Sequence, residues 1–322
     1  MRAVCVIGLG LIGGSVLRAA ARAGRPVWGA TASSEDREAA VADGFTVLPV
    51  EEALAKAAEA DALVVLAVPL PAVDEVLRTV ASVAPSCLLT DVVSVKSAVA
   101  SAVARRAPGV RYAGGHPMAG RSASGWAAGS ADLFDGAPWV VATDEEVPAE
   151  AWRAAVSLAL GCGAHVVPTT SGEHDAAVAR ISHLPHVLAA VLAATGADGG
   201  PLALSLAAGS FADGTRVAGT RAELVLAMCE GNREQLLDAV DDALGRLGAA
   251  RGALASTGGL AATIRAGNEA RAGLVALRET PREELRIDLT DPEAFEDLRS
   301  LGSGGGRILR LEGDIAIADL PD

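Results

Sequence analysis

A strand-like run, Ala3-Val4-Cys5-Val6-Ile7, leads directly into Gly8-Leu9-Gly10-Leu11-Ile12-Gly13 and then into a helix-like stretch. Three glycines at that spacing, between a strand and a helix, leave the backbone few choices. Gly8 permits a tight turn, Gly10 lets the chain approach a bound group, and Gly13 lets the helix pack closely on the strand. The first N–H groups of that helix have no partner in the helix itself and face outward toward negative charge. The pattern therefore predicts a strand, turn and helix that accept a pyrophosphate, with Gly8, Leu9, Gly10, Leu11, Ile12 and Gly13 as cofactor-binding candidates.

The rest of the first half repeats the alternation. Short apolar runs at 3–7, 26–30, 62–68, 87–91, 111–114, 138–142 and 165–168 read as strands, and 14–23, 35–43, 50–58, 71–83, 96–107 and 148–160 read as helices. This predicts an α/β fold in which a Rossmann-type doubly wound parallel sheet occupies residues 1–168. From Ser171 the strand signals stop, and Ala/Leu-rich segments with helical spacing run to about Leu285. Residues 173–195 read as one long helix, and 221–247 and 251–279 as at least two more, divided at Gly231-Asn232 and over 245–252. Residues 169–287 are thus expected to form an all-helical dimerisation domain, because small-residue helices of this kind pack closely and pair across a two-fold axis. Residues 288–322, with Gly302-Ser303-Gly304-Gly305-Gly306 and RILRLEGDIAIADL, read as a short C-terminal tail holding one or two strands.

Length and composition fit two domains. The chain has 322 residues, half of them apolar, and a formal net charge of -13, which argues against nucleic acid or an anionic membrane surface as the main partner. Cys5, Cys87, Cys162 and Cys229 are scattered, without zinc-ligand or disulfide-scaffold spacing, so no metal site is expected and a reducing cytoplasm is. Met1-Arg2 runs straight into the first strand without a signal-peptide pattern, and no apolar run reads as long and uninterrupted enough to span a bilayer.

Several polar residues fall at the carboxyl edge of the predicted sheet, where ligands bind in such folds. Thr31 stands where a carboxylate usually takes the ribose hydroxyls, so Thr31, Ser33 and Ser34, helped by Arg37, suit either a 2′-phosphate or a plain ribose, and NAD or NADP remains open. Ala67-Val68-Pro69 ends another strand, as a nicotinamide contact or a plain helix start with proline. Ser94, in Asp91-Val92-Val93-Ser94-Val95-Lys96, reads by itself as a helix N-cap. His116 is one of five histidines; held by Pro117 in a glycine-rich loop after a strand, it is the candidate for proton transfer near neutral pH. On the long helix, Asp175, Ser182 and His186 fall on one face of an ideal α-helix, while the direction of His183 stays open.

GLGLIGGS, DVVSVK, HPMAG, EHD followed by ISHLPH, and FADGTRV occur in the order found in TyrA-type prephenate dehydrogenases and the related arogenate dehydrogenases. The chain resembles that family from Met1 to about Thr280. The resemblance implies oxidative decarboxylation of prephenate to 4-hydroxyphenylpyruvate in tyrosine biosynthesis, with NAD(P)+ as hydride acceptor and a homodimer as the working form. It further implies that His116 draws off the substrate hydroxyl proton, that Ser94 orients both, and that Arg216 grips a substrate carboxylate. Ser182 and His186 would serve the substrate side-chain end, with Asp175 and His183 near them, Asp213 would reach toward the partner subunit's site, and Pro185 would kink the helix. His174 is read as shaping that helix, and Lys96 receives no chemistry. Two departures stand out: Arg121-Ser122-Ala123-Ser124 where the family has Glu, and Leu224-Val225 where many members have Trp. Arogenate is the alternative substrate, and a nucleotide-sensing module without turnover is the alternative of another class.

Overall fold

The computed structural model describes residues 1–121 and 123–322; Ser122, in the segment that departs from the family's Glu, lies outside the described residues. Strands β1 (Val4–Ile7), β2 (Val27–Ala30), β3 (Leu63–Leu66), β4 (Leu88–Asp91) and β5 (Arg111–Ala113) form a five-stranded parallel sheet in the order β2-β1-β3-β4-β5. Every residue of β1, β3 and β4 is buried, as a sheet with helices on both faces requires. Alternation along β1 divides the core. Val4 and Val6 pack with Val16 and Leu17 of helix Leu11–Arg22 and with Trp152 and Val156 of helix Ala149–Gly161. Cys5 and Ile7 face Leu54, Leu77 and Val99, from the helices Val50–Glu59, Leu70–Val83 and Lys96–Arg106.

A second sheet has six strands in the order β6-β7-β8-β10-β11-β9: β6 (Gly115–Pro117), β7 (Pro138–Ala142), β8 (His165–Thr169), β9 (Arg282–Asp288), β10 (Arg307–Glu312) and β11 (Ile315–Pro321). The expected doubly wound sheet is therefore shorter than its run of strands suggested, because β7 and β8 pair in this second sheet. Beyond β5 the chain turns back through β6, which lies antiparallel to β7 with His116 opposite Val140.

The tail is corrected more substantially. Residues 288–322, with the start of β9 six residues earlier at Arg282, supply three strands and the helix Ala294–Ser303. Strand β10 pairs antiparallel with β8 and with β11, and Gly302 approaches β8 so closely that a Cβ there would lie 1.7 Å from the Pro168 carbonyl oxygen. By its contacts the chain forms two compact units, Met1–His174 with Glu283–Leu320, and Asp175–Arg282 with Pro321–Asp322. The tail thus belongs to the unit that carries the glycine turn and is not a separate segment after 287.

The second unit is helical. The long helix begins as Ser171–Val178, continues as a π-helical segment Ala179–His183 and resumes as Leu184–Asp198. Pro185 offers no N–H and its ring crowds the carbonyl four residues back, so a widened turn preceding it relieves that conflict and replaces the expected simple kink. Short helices Gly200–Ser205 and Gly209–Thr215 and a 3-10 turn Arg216–Gly219 follow, then Ala222–Gly231, Arg233–Ser256 and Ala261–Glu279. The break expected over 245–252 is absent. Cβ positions at Gly245, Gly248 and Gly252 meet nothing within 4 Å, so these glycines ride an exposed helix, and the chain turns instead at Gly258, where φ is +70°. Ser171–Asp198 also corrects the reading on apolar runs. No Asp, Glu, Lys or Arg interrupts 181–197, and an 18-residue stretch reaches a mean hydropathy of 1.4, enough by length and composition to cross a membrane.

Candidate active site

The three glycines have different duties. Gly8 turns at φ +101°, and a Cβ there would meet the Ala67 carbonyl oxygen at 2.4 Å; at Gly13 a Cβ would lie 1.8 Å from the Gly8 carbonyl oxygen and 2.7 Å from Ala67 Cβ. Both are needed by the protein's own packing. At Gly10, by contrast, no atom of the described residues beyond its chain neighbours lies within 4 Å of the Cβ position, and no side chain among them caps helix Leu11–Arg22, which starts beside it. The residues present thus fit a dinucleotide phosphate: an open approach to the backbone, facing uncapped N–H groups. Leu9 turns its side chain into the core against Gly29, so only its backbone can serve a ligand, while Leu11 and Ile12 are half-buried. Ala67 and Val68 wall the turn, and Pro69 opens the next helix.

Thr31 follows β2. Its Oγ1 accepts from the Ser33 N–H at 3.3 Å and its carbonyl accepts from the Arg37 guanidinium at 3.1 Å, while Ser33 caps the helix Ser34–Ala42 through the Asp36 N–H at 3.1 Å. Arg37 is therefore held at the β2 end, where an anion would meet it.

Behind the reacting edge lies a polar core that the motif reading left without a role. Asp91, the last residue of β4, and Lys96 are both fully buried and paired. Asp91 Oδ1 also accepts from the Val93 N–H at 2.8 Å, and its Oδ2 accepts from the Tyr112 hydroxyl at 2.6 Å and the Gly115 N–H at 3.3 Å. Lys96 Nζ donates to the Gly115 carbonyl at 2.6 Å. Gly115 is thus gripped at both its N–H and its carbonyl, which fixes the strand position of His116 beside it. A Cβ at Gly115 would lie 2.6 Å from the Asp91 carbonyl oxygen, so only glycine lets β6 come this near to β4. The signal was in DVVSVK: a carboxylate at a strand end and an ammonium five residues on, in a turn of three valines and Ser94.

His116 is half-buried on β6 itself, where a loop position was expected. Its Nδ1 lies 2.8 Å from Nε2 of His174, a residue only 2% exposed, and the two rings meet edge to face. Nothing local in the sequence announces that pair, since the two histidines are 58 residues apart. Ser94 is half-buried and does not act as a cap: the N-cap of Lys96–Arg106 is Val95, with no side-chain hydrogen bond. Its hydroxyl is therefore not committed to capping.

In the helical unit the structure regroups the expected residues. Asp175 and His183 are buried at 2% and 0%, whereas Ser182 and His186 are half-buried. Asn232, itself buried, donates from Nδ2 to the Asp175 carbonyl at 2.8 Å and toward His183 Nδ1 at 3.1 Å. The expected common face of Asp175, Ser182 and His186 assumed uninterrupted α-helix. A π segment inserts about one residue, so the eight-residue step from Asp175 to His183 covers roughly two turns and aligns those two instead. His186 Nδ1 is buried with no hydrogen-bond partner among the described residues, the kind of orphan that marks a group awaiting a ligand. The helix Gly209–Thr215, which carries Asp213, lies close on the helix of His186: a Cβ at Gly214 would come within 2.8 Å of Leu192, and one at Gly196 within 2.4 Å of Phe211. Asp213 and Arg216 are both exposed.

Burial pushes the thiols of Cys5 and Cys162 up to about 12 and that of Cys87 to about 11, so these cysteines are packing residues. Among the described residues no group of three or more His, Cys, Asp or Glu side chains forms a metal-ligand set.

A sequence profile described as the prephenate dehydrogenase nucleotide-binding domain matches residues 14–168, and one described as the prephenate dehydrogenase dimerization domain matches 170–259. The chain is 30% identical to the prephenate dehydrogenase of Lactococcus lactis over 249 residues, covering 75% of this chain and 68% of that protein. Among solved structures, a Corynebacterium glutamicum protein assigned as a prephenate dehydrogenase shares 44% identity with a TM-score of 0.89, covering 95% of this chain and 98% of that one. The arogenate dehydrogenase of Synechocystis shares 28% identity with a TM-score of 0.71, covering 85% of this chain and all of that one. With both profiles matched in order, and with the glycine turn, Ser94 and His116 held as described, this chain belongs to the prephenate dehydrogenase family.

Proposed function

We propose that the chain oxidatively decarboxylates prephenate to 4-hydroxyphenylpyruvate in tyrosine biosynthesis, as a cytoplasmic homodimeric dehydrogenase. The observation that carries the reading is the bracing of His116, an imidazole fixed at the carboxyl end of β4 in the unit that holds the nucleotide cradle. A nicotinamide dinucleotide held at the turn of Gly8, Gly10 and Gly13 would supply the hydride acceptor for the ring carbon that bears the hydroxyl. His116 takes the hydroxyl proton as the C–O bond gains double-bond character, and Ser94 orients hydroxyl and imidazole. The bond from the ring to the carboxylate then breaks, its electron pair aromatises the ring, carbon dioxide leaves, and the proton on His116 returns to the phenolate oxygen. In the helical unit, Arg216 supplies a bidentate guanidinium for a substrate carboxylate, and Ser182 and His186 hold the side-chain end, with Asp213 directed to the partner subunit.

The cofactor assignment extends to both nicotinamide dinucleotides. Thr31 brings no carboxylate to repel a 2′-phosphate, and Arg37 is tethered beside it. The homodimer is supported by the apolar side chains the helical unit leaves exposed, among them Leu202, Leu206, Leu244, Leu247 and Leu254, and the cytoplasmic location by four free cysteines.

The test is turnover of purified protein with prephenate and with arogenate, each with NAD+ and NADP+. Reduced nicotinamide from prephenate is expected, and none from either substrate overturns the assignment. A higher kcat/KM on arogenate would move the chain to the second reading, which the Synechocystis relative motivates.

A further inference from the structure

The geometry points to His174 as a positioning residue for the proton step: it fixes the hydrogen of His116 on Nδ1, so that Nε2 is the nitrogen that receives the substrate's proton. The inference rests on the dehydrogenase reading above for the base role of His116, and on the structure for the contact between the two histidines.

Only one hydrogen can lie between His116 Nδ1 and His174 Nε2, which are 2.8 Å apart. If His174 donated it, neutral His116 would carry its own hydrogen on Nε2 and present a donor to the substrate hydroxyl, which cannot then lose a proton to it. If His116 donates it, Nε2 carries the lone pair and His116 is a base. The base role proposed for His116 requires the second arrangement, and the surroundings of His174 keep its imidazole neutral and so able to accept. His174 is 2% exposed, which disfavours a charged imidazolium, and it lies in the first turn of Ser171–Val178, where the positive end of the helix dipole disfavours it again. A neutral His174 with its own hydrogen on Nδ1 offers Nε2, the nitrogen that faces His116, as the acceptor.

The helix start is anchored against β7 and β8. The Ser171 N–H and hydroxyl donate to Asp144 at 2.9 and 2.6 Å, and Glu173 accepts from the Thr170 and Thr169 hydroxyls at 2.9 and 3.1 Å. His174 itself is held through its N–H to the Thr170 carbonyl at 3.0 Å. The acceptor is therefore rigid. When the substrate O–H bond breaks and an N–H bond forms at His116 Nε2, the hydrogen on Nδ1 stays where it is, and its bond to His174 becomes charge-assisted. His174 thereby orients the ring and stabilises its imidazolium without touching substrate, the task a carboxylate performs for the histidine of a hydrolase triad.

The experiment combines imidazole nitrogen NMR of the whole chain with kinetics of two variants. In the unsubstituted protein, neutral His116 is expected in the Nδ1–H form. His174→Leu should release it toward the Nε2–H form and lower kcat by about 10- to 1,000-fold, with KM and cofactor affinity within about threefold. His174→Gln, whose Oε1 can accept where Nε2 did, should restore kcat to within about tenfold of the unsubstituted enzyme. Finding His116 as the Nε2–H form in the unsubstituted protein overturns the inference even if His174→Leu does not fold. Unchanged kcat in His174→Leu, or a His174→Gln enzyme as slow as His174→Leu, overturns it as well. The NMR result decides the pairing whatever the substrate, whereas absent turnover on both prephenate and arogenate overturns only the assigned reaction.

Discussion

At the scale of residues, the proposed mechanism concentrates the proton step on His116, and the glycine cradle is built without it. His116→Ala is therefore expected to keep cofactor affinity within about threefold while lowering kcat by roughly two to four orders of magnitude, read by cofactor titration beside steady-state turnover. A nucleotide-sensing protein without turnover would show no catalytic loss to measure. Lys96 and Asp91 brace the strand position of His116 from behind. Each is fully buried, so removing either charge strands the other in the core, and loss of folding would accompany any loss of turnover. What was legible in the sequence at this scale was the set of strings that reach the ligand edge. The His116 and His174 contact was not, because its spacing is set by the fold and not by any local period.

Among elements, the glycine turn separates packing from binding. Gly10→Ala adds a methyl group into open space, so the melting temperature without cofactor should stay within about 2 °C, while cofactor affinity falls by about tenfold or more. Gly13→Ala drives a methyl group into the Gly8 carbonyl and should destabilise the protein by about 1–3 kcal/mol or more before any cofactor is added. Thermal melts with and without NAD+ distinguish the two. Strands β1, β3 and β4 were readable because burial on both faces leaves a largely apolar run. Strand β9 was not, since REELRID carries charges on largely exposed positions, and β10 was read only as a strand of a short tail because its partner β8 lies far away in the sequence. The π segment explains the misassigned helix face, since a rule of 3.6 residues per turn has no way to register an inserted residue.

On the scale of the whole molecule, charge and assembly set the expected behaviour. Asp43 is held below the usual carboxylate range by the Trp126 indole N–H and then by Arg18, and Asp74 by Arg106; Glu312 is lowered by Arg310. A group with a depressed folded value adds stability above its ordinary pKa, 3.8 for these aspartates and 4.5 for the glutamate, and loses it as pH falls further. The melting temperature should thus change little between pH 7 and about 5 and fall below about pH 4, and Asp43→Asn should flatten part of that fall. Sedimentation should give twice the chain mass, and Leu244→Glu with Leu247→Glu should shift it toward the monomer if these side chains meet a second copy. The apolar Ser171–Asp198 helix gives the same experiment a second use, since binding to lipid vesicles in place of self-association would reassign its exposed face.

The place of β10 between β8 and β11 has a consequence for synthesis and engineering. In sequence terms the helical unit is an insertion within the nucleotide-binding unit, so a ribosome must deliver all of it before β8 can find its neighbour. Until then β8 carries an unpaired edge, the kind of surface that invites chaperones or aggregation. Fragments cut after residue 168 inherit that edge permanently. Joining 1–174 directly to 283–322 by a short linker would instead give a nucleotide-binding protein with its sheet complete.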